Sequence, residues 1–253
     1  MTGMEGMLGL SLKYLADTIC DPLIATLSSD WPTTLVGWDR IEADIEVSIK
    51  YGPFGRAYID RELPEPCSMI ALARKFPVLN PLLPSAFYHL SRIPRWADSR
   101  LGDPNISNDP SVSEEEILKH ASHLAEGGRS AQYSLLAVED LLRLEKVDKE
   151  IGRIFSAICD HSLLQASVHC EFHGAKKKRQ IRCRDRCSAA MQDVCEEVEK
   201  EYQRTRDPLR VMCGEGDIRK PRDACANCPE HFRLELIRLR ERLWDEWCEF
   251  VNK

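Results

Sequence analysis

Apolar side chains recur along this chain at intervals of three and four residues, the period that stacks them on one face of an α-helix. Leu8, Leu12, Leu15 and Ile19 form the first such stripe, and Asp21-Pro22 then reads as an N-cap followed by a first-turn proline. Asp30-Trp31-Pro32 repeats that signal ahead of Leu35, Trp38, Ile41, Ile45 and Ile49, a stripe that Gly52-Pro53 ends. Pro64 and Pro66 open a short segment containing Ile70 and Ala73, which Pro77 closes, and Pro84 starts another bearing Phe87, Leu90 and Ile93. Residues 1–93 therefore predict a stack of short helices.

From Pro94 to Ser113 the apolar anchors give way to Ser, Asp, Asn, Pro and Gly. Such a segment buries too little surface to offset the entropy of ordering it, so residues 94–113 read as a flexible linker. Ser113 with Glu116 fits a capping box for a helix reaching Ala125, which Gly127-Gly128 stops. Leu144, Val147, Ile151, Ile154 and Ile158 then keep helical spacing, so residues 114–165 continue the pattern. Residues 166–253 form a Cys-rich helical subdomain. Its first stripe, Met191, Val194, Cys195, Val198 and Tyr202, ends at Asp207-Pro208, and a last helix is expected from Pro229. On that helix Phe232, Leu236, Leu239, Leu243, Trp247 and Phe250 share a face, while Glu235, Arg238, Arg242, Asp245, Glu246 and Glu249 take the opposite sector. With no strand alternation and no repeat, the fold class is all-α.

Length and charge narrow the function classes. At 253 residues the chain can bury one large core or two smaller ones. Its 41 acidic and 35 basic side chains leave a net charge of -6, which excludes bulk nucleic-acid binding and confines any such role to a local patch. Residues Met1 to Leu12 lack a basic segment followed by an apolar run, and no stretch of about 20 apolar residues occurs. This argues against secretion and membrane spanning and for the cytoplasm or nucleus. In a reducing compartment the 11 cysteines serve as core residues, ligands or nucleophiles rather than disulfides.

Nine of those cysteines follow residue 158, and four of them form two pairs. Cys183 and Cys187 stand four apart, whereas Cys225 and Cys228 form a CxxC just before the last helix. Two such pairs are what a tetrahedral Zn²⁺ needs, since each holds its sulfurs within reach of Zn–S bonds of about 2.3 Å. The expectation is a structural four-cysteine zinc site clamping two helix heads. Four thiolates leave no open position for water, so the site supports structure and not catalysis. Cys170 with His173, and His231 after Cys228, are further ligand candidates at CxxH spacing. Cys195 reads as a core thiol, and Cys20, Cys67, Cys159, Cys213 and Cys248 have no partner spacing.

Two alternative functions start from the same region. His169-Cys170-Glu171 with the CxxC offers the elements of a zinc deaminase-like hydrolase. Against it, Ala224 stands where that signature has proline, the intervening gap is long, and the strands of that scaffold are not predicted. Lys176 to Arg179 with Arg182, Arg184 and Arg186 makes a basic run that would suit a nuclear regulator binding nucleic acid through residues 176–186. Phe172 is the one nearby aromatic for base stacking, so a solvated loop is the preferred reading. Phosphate-loop, dinucleotide, HExxH and GxSxG signatures are absent.

Several phrases resemble a known family. Leu10 to Tyr14 (LSLKY), Trp31-Pro32 with Trp38-Asp39, Pro64 to Arg74, Leu83 to Ile93 (LPSAFYHLSRI) and Val138 to Leu144 (VEDLLRL) are similar to the region after the BTB/POZ fold in BTB-domain proteins of mushroom-forming fungi. The resemblance implies a helical, BACK-like extension over residues 1–93, attached to a domain that dimerises and, in some relatives, recruits a cullin-type ubiquitin ligase. Nine residues precede LSLKY here, so homodimerisation through a BTB fold is not expected of this chain. The combined expectation is a non-enzymatic adaptor with protein partners and structural zinc. If the cysteine pairs bind as expected, purified protein carries one zinc per chain by metal analysis, and Cys225→Ala lowers both zinc content and melting temperature; zinc-free protein with an unshifted variant would remove the site.

Overall fold

The computed structural model describes residues 2–14, 16–51, 59–103, 105–106, 109–166, 196, 199–200, 202–204, 207–213 and 228–253. The fold is all-α, and among the described residues the single β-type feature is an isolated parallel bridge between Asp98 and Ala131. No helix of the described residues is long and apolar enough to cross a membrane. The chain divides into two compact units, residues 1–147 with 251–253, and residues 148–250. The boundary falls inside a long helix and not at residues 94–113.

The first unit opens with α1 (Thr2–Lys13), α2 (Asp17–Asp30) and α3 (Leu35–Tyr51). The Leu8-to-Ile19 stripe does not survive as one face. The Ala16 N–H bonds the Ser11 carbonyl at 2.8 Å, which closes α1 and lets the chain restart in a new phase. Leu8 is buried, whereas Ile19 faces outward and Cys20 takes its place in the core. Asp21-Pro22 is also not a helix start, because α2 begins four residues earlier and carries Pro22 in its interior. The proline has no N–H, so that turn of α2 lacks one ladder bond. The α3 stripe matches expectation in span, with Trp38 fully buried and the Gly37 N–H capped by Thr34 Oγ1 at 3.2 Å.

The centre of this unit is the pair α5 (Pro66–Lys75) and α6 (Leu83–Ser91), which follows the short α4 (Ile59–Glu62) and flanks a 3-10 turn over Pro77–Leu82. Pro66 and Pro84 occupy first-turn positions as read, and Glu65 caps α5 by accepting from the Cys67 and Ser68 N–H groups. Ile70, Leu72, Phe87, Tyr88 and Leu90 are almost wholly buried. At about 1.5–3 kcal/mol for each large side chain, this cluster supplies the main driving force of the unit.

Among the described residues of 94–113, the segment read as a linker, several backbone groups are hydrogen-bonded. Ala97 is buried, its carbonyl accepts from Ala131 N–H at 3.0 Å, and Ser99 N–H returns the bond to Ala131 at 3.0 Å. A 3-10 turn follows at Ser99–Gly102, and Asp103 and Asp109 bond the N–H groups two residues on. Here Asp side chains and a two-bond bridge do what an apolar stripe does elsewhere. Then α7 (Glu114–Ala125) begins with the expected capping box, Ser113 and Glu116 bonding reciprocally. Gly127 ends it in the left-handed region at φ 87°.

A 3-10 turn at Tyr133–Leu135 leads into α8 (Val138–Ala166), where the unit boundary lies. In the first unit Leu144 and Val147 are buried, and Asp140 is held by a bidentate pair with Arg74 of α5. The second unit contains the rest of α8 with Ile151 and Ile154 buried, then α9 (Pro208–Val211) and α10 (Cys228–Val251) up to Phe250. Asp207-Pro208, read as the end of a stripe, starts α9 instead, since Asp207 Oδ1 accepts from Arg210 N–H at 3.1 Å. The α10 pattern matches expectation at Leu239, Leu243 and Trp247, all buried, and at Arg238, Asp245, Glu246 and Glu249, all exposed. Arg240 is buried too, and its Nε donates to the Leu209 carbonyl at 2.7 Å.

Candidate functional site

Cys183, Cys187 and Cys225 lie outside the described residues, as do Cys170, His173 and the basic run 176–186. Cys228 is the first residue of α10, one position ahead of the expected Pro229 start. Among the described residues no group of three or more His, Cys, Asp or Glu is set to hold a metal ion. Of the other cysteines, Cys67 is buried in α5, where desolvation first and then the Glu65 charge push its thiol far up. Cys248 is likewise raised, to about 11, by burial and Asp245. Both are packing thiols rather than nucleophiles.

Unit 1 instead gathers its ionisable groups around one guanidinium. Arg129, on the loop after α7, keeps only 11% of its side chain exposed. Its Nη2 donates to the Pro64 carbonyl at 2.8 Å, its Nη1 meets His89 Nε2 of α6, and its Nε lies 4.0 Å from Asp60 Oδ1 of α4. Asp60 also accepts from the next residue, taking Ser130 N–H at 2.7 Å and Ser130 Oγ–H at 2.6 Å. Glu65 Oε1 takes the Gln132 N–H at 3.0 Å besides capping α5. Thus the segment 129–132 is pinned to α4, α5 and α6 by three polar side chains.

His89 is 7% exposed and stands edge-on to Trp31 and Trp38, with ring centroids 6.2 and 5.9 Å away. Arg92 reaches the same wall, lying over Trp38 and bonding Glu42 at 2.6 and 3.0 Å. Desolvation first, then the Arg129 and Arg92 charges, hold the His89 imidazole well below its usual range. It is therefore neutral, and accepting at Nε2 puts its proton on Nδ1. Burial likewise pulls Arg129 down to about 10, with Asp60 opposing the fall. An imidazole whose basic nitrogen accepts from a buried guanidinium has no lone pair to offer a substrate, so this arrangement holds structure and does not suit acid–base chemistry.

Sequence spacing did not point to Arg129, His89 or Asp60. The signal available was weak: a histidine inside the mostly apolar phrase LPSAFYHLSRI, and carboxylates just ahead of Pro64 and Pro66. No family model, no curated protein and no solved structure matches this chain.

Two outcomes follow. Arg129→Met leaves Asp60 without its cation and the Pro64 carbonyl without its donor, and lowers stability by about 3–5 kcal/mol in chemical denaturation, the usual consequence of breaking a buried pair. Because the folded His89 pKa lies below its unfolded value of about 6.5, the unfolded chain binds more protons below that pH, so stability falls as pH drops from 6.5. A His89→Asn variant, unable to titrate at that position, reduces that slope in denaturation curves taken from about pH 7.5 to about 5, and His120 keeps its own share.

Proposed function

We propose that this chain is a non-enzymatic protein-interaction module of the adaptor type, and that α1 presents one of its docking faces. A single observation carries this reading. Met7 and Leu10 on α1, with Tyr14 in the turn directly after it, are spaced three and four apart and are 52%, 59% and 69% exposed. The opposite side of α1 is already engaged: Leu8 and Ser11 are buried, Gly9 abuts the Phe76 ring, and Glu5 bonds Lys75 at 2.7 Å. The helix is held in place while its apolar face stays uncovered, an arrangement that suits helix-in-groove recognition.

The resemblance of LSLKY and LPSAFYHLSRI to the helical extension of fungal BTB-domain proteins supports the same reading. LSLKY supplies two of the three exposed side chains. Structural zinc at Cys183, Cys187, Cys225 and Cys228 belongs to this proposal as a clamp on the second unit.

A photo-crosslinking residue at position 10 tests the docking face. The full chain is expected to give defined protein adducts that Met7→Asp with Tyr14→Asp abolishes, with circular dichroism and melting temperature unchanged. Loss of two large apolar contacts corresponds to roughly 3 kcal/mol, or about 100-fold in affinity. Adducts that persist undiminished in the folded variant would overturn the proposal.

A further inference from the structure

The helix α7 buries one side chain fully, and that side chain is a histidine. His120 is 2% exposed, and its Nε2 has no hydrogen-bond partner among the described residues. The ring rests on the 3-10 turn 99–102, its Cε1 3.7 Å from the position a Cβ on Gly102 would take. Ile117, His123 and Leu124 are half-buried beside it, whereas Glu114, Glu115, Glu116, Leu118 and Lys119 face outward.

Two further contacts complete the attachment. Trp96 carries Lys119 Nζ over its ring at 4.1 Å and the His123 edge at 5.0 Å. His123 Nε2 lies 3.0 Å from the Arg129 carbonyl, and its ring fills the space in front of Gly128, where any Cβ would collide with it. At 12 residues α7 is too short to hold its helical bonds unaided, so leaving its seat also opens its amides to exchange.

We propose that α7 is a proton-operated flap: protonation of His120 releases the helix from the 99–102 turn and from Trp96, uncovering that surface. A charged imidazole cannot remain in a seat that offers its Nε2 no acceptor. The charges facing it come from every neighbouring element. Asp60 of α4 and Asp98 before the turn favour the proton, but Asp60 is committed to Ser130 and Asp98 to Arg100. His123 opposes it.

Desolvation is the largest influence and sets the closed-state value below the ordinary 6.5. The open helix, by contrast, exposes His120 to water at that ordinary value. The open state therefore gains on the closed one as pH falls below about 6.5, by at most about tenfold per pH unit for one proton. His123 is not the trigger, since its Nε2–H donates to the Arg129 carbonyl whether the ring is neutral or charged.

Hydrogen exchange of the full chain, corrected for intrinsic rates and read between about pH 7.5 and about 5.5, tests the flap. The opening equilibrium of residues 114–125 is expected to rise by up to about tenfold while α5 and α6 keep their protection, with His123→Gln keeping the same pH dependence. In His120→Asn the opening becomes independent of pH. Either pH-independent protection of α7 in the parent or an undiminished acid response in His120→Asn would overturn the proposal. Should His120→Asn leave α7 open at every pH, imidazole NMR of the parent decides. Opening that tracks His120 protonation supports the flap, and titration of His120 with α7 still protected rejects it.

Discussion

Taking the Arg129 guanidinium out of water costs several kcal/mol, and the surrounding elements of unit 1 are arranged to offset that cost. Pro64 supplies a carbonyl, His89 a lone pair and Asp60 a charge, from three separate stretches of chain. The same groups hold the segment 129–132, which in turn forms the bridge to Ala97 and Ser99. One buried cation thus dictates where α4, α5, α6 and the loop after α7 meet. Apolar packing of α5 on α6 drives the collapse, and the polar cluster chooses one arrangement among those collapse would allow.

That choice shapes what the unit can do. The neutral state of His89 is a condition of the Arg129 contact, so the imidazole is spent on architecture. His120 differs in kind, because its Nε2 is buried without a hydrogen-bond partner among the described residues, and α7 has no other fully buried side chain to hold it down. The uncovered apolar face on α1 lies on a helix anchored through its opposite side. Rigid support under an exposed stripe is the condition for binding without a large ordering cost.

Helical periodicity and prolines made most element positions legible. The capping box at Ser113, the stop at Gly127, the first-turn prolines of α5 and α6 and the inward stripe of α10 all stand where pattern placed them. Misreadings came where local signals have two meanings. Asp-Pro marks a helix start at 207–208 but sits inside α2 at 21–22, because an upstream turn can form before the proline and tolerate one missing bond. Residues 94–113 looked unanchored because Asp-capped turns and a two-bond bridge leave no apolar period. The cysteine pairs are read as ligands from spacing alone, and of the four only Cys228 falls in a described element.

The sequence by itself determined the all-α class, because a helix satisfies its backbone locally and its apolar face is written at intervals of three and four. It also determined the caps and the stops, which act over a single turn. Only the tertiary structure decided that Arg129, His89 and Asp60 meet, since they lie far apart in the chain and no spacing rule links them. It likewise decided that Met7, Leu10 and Tyr14 stay outside while Leu8 goes in. A period says that a helix has an apolar face, but which face is covered depends on what else packs there.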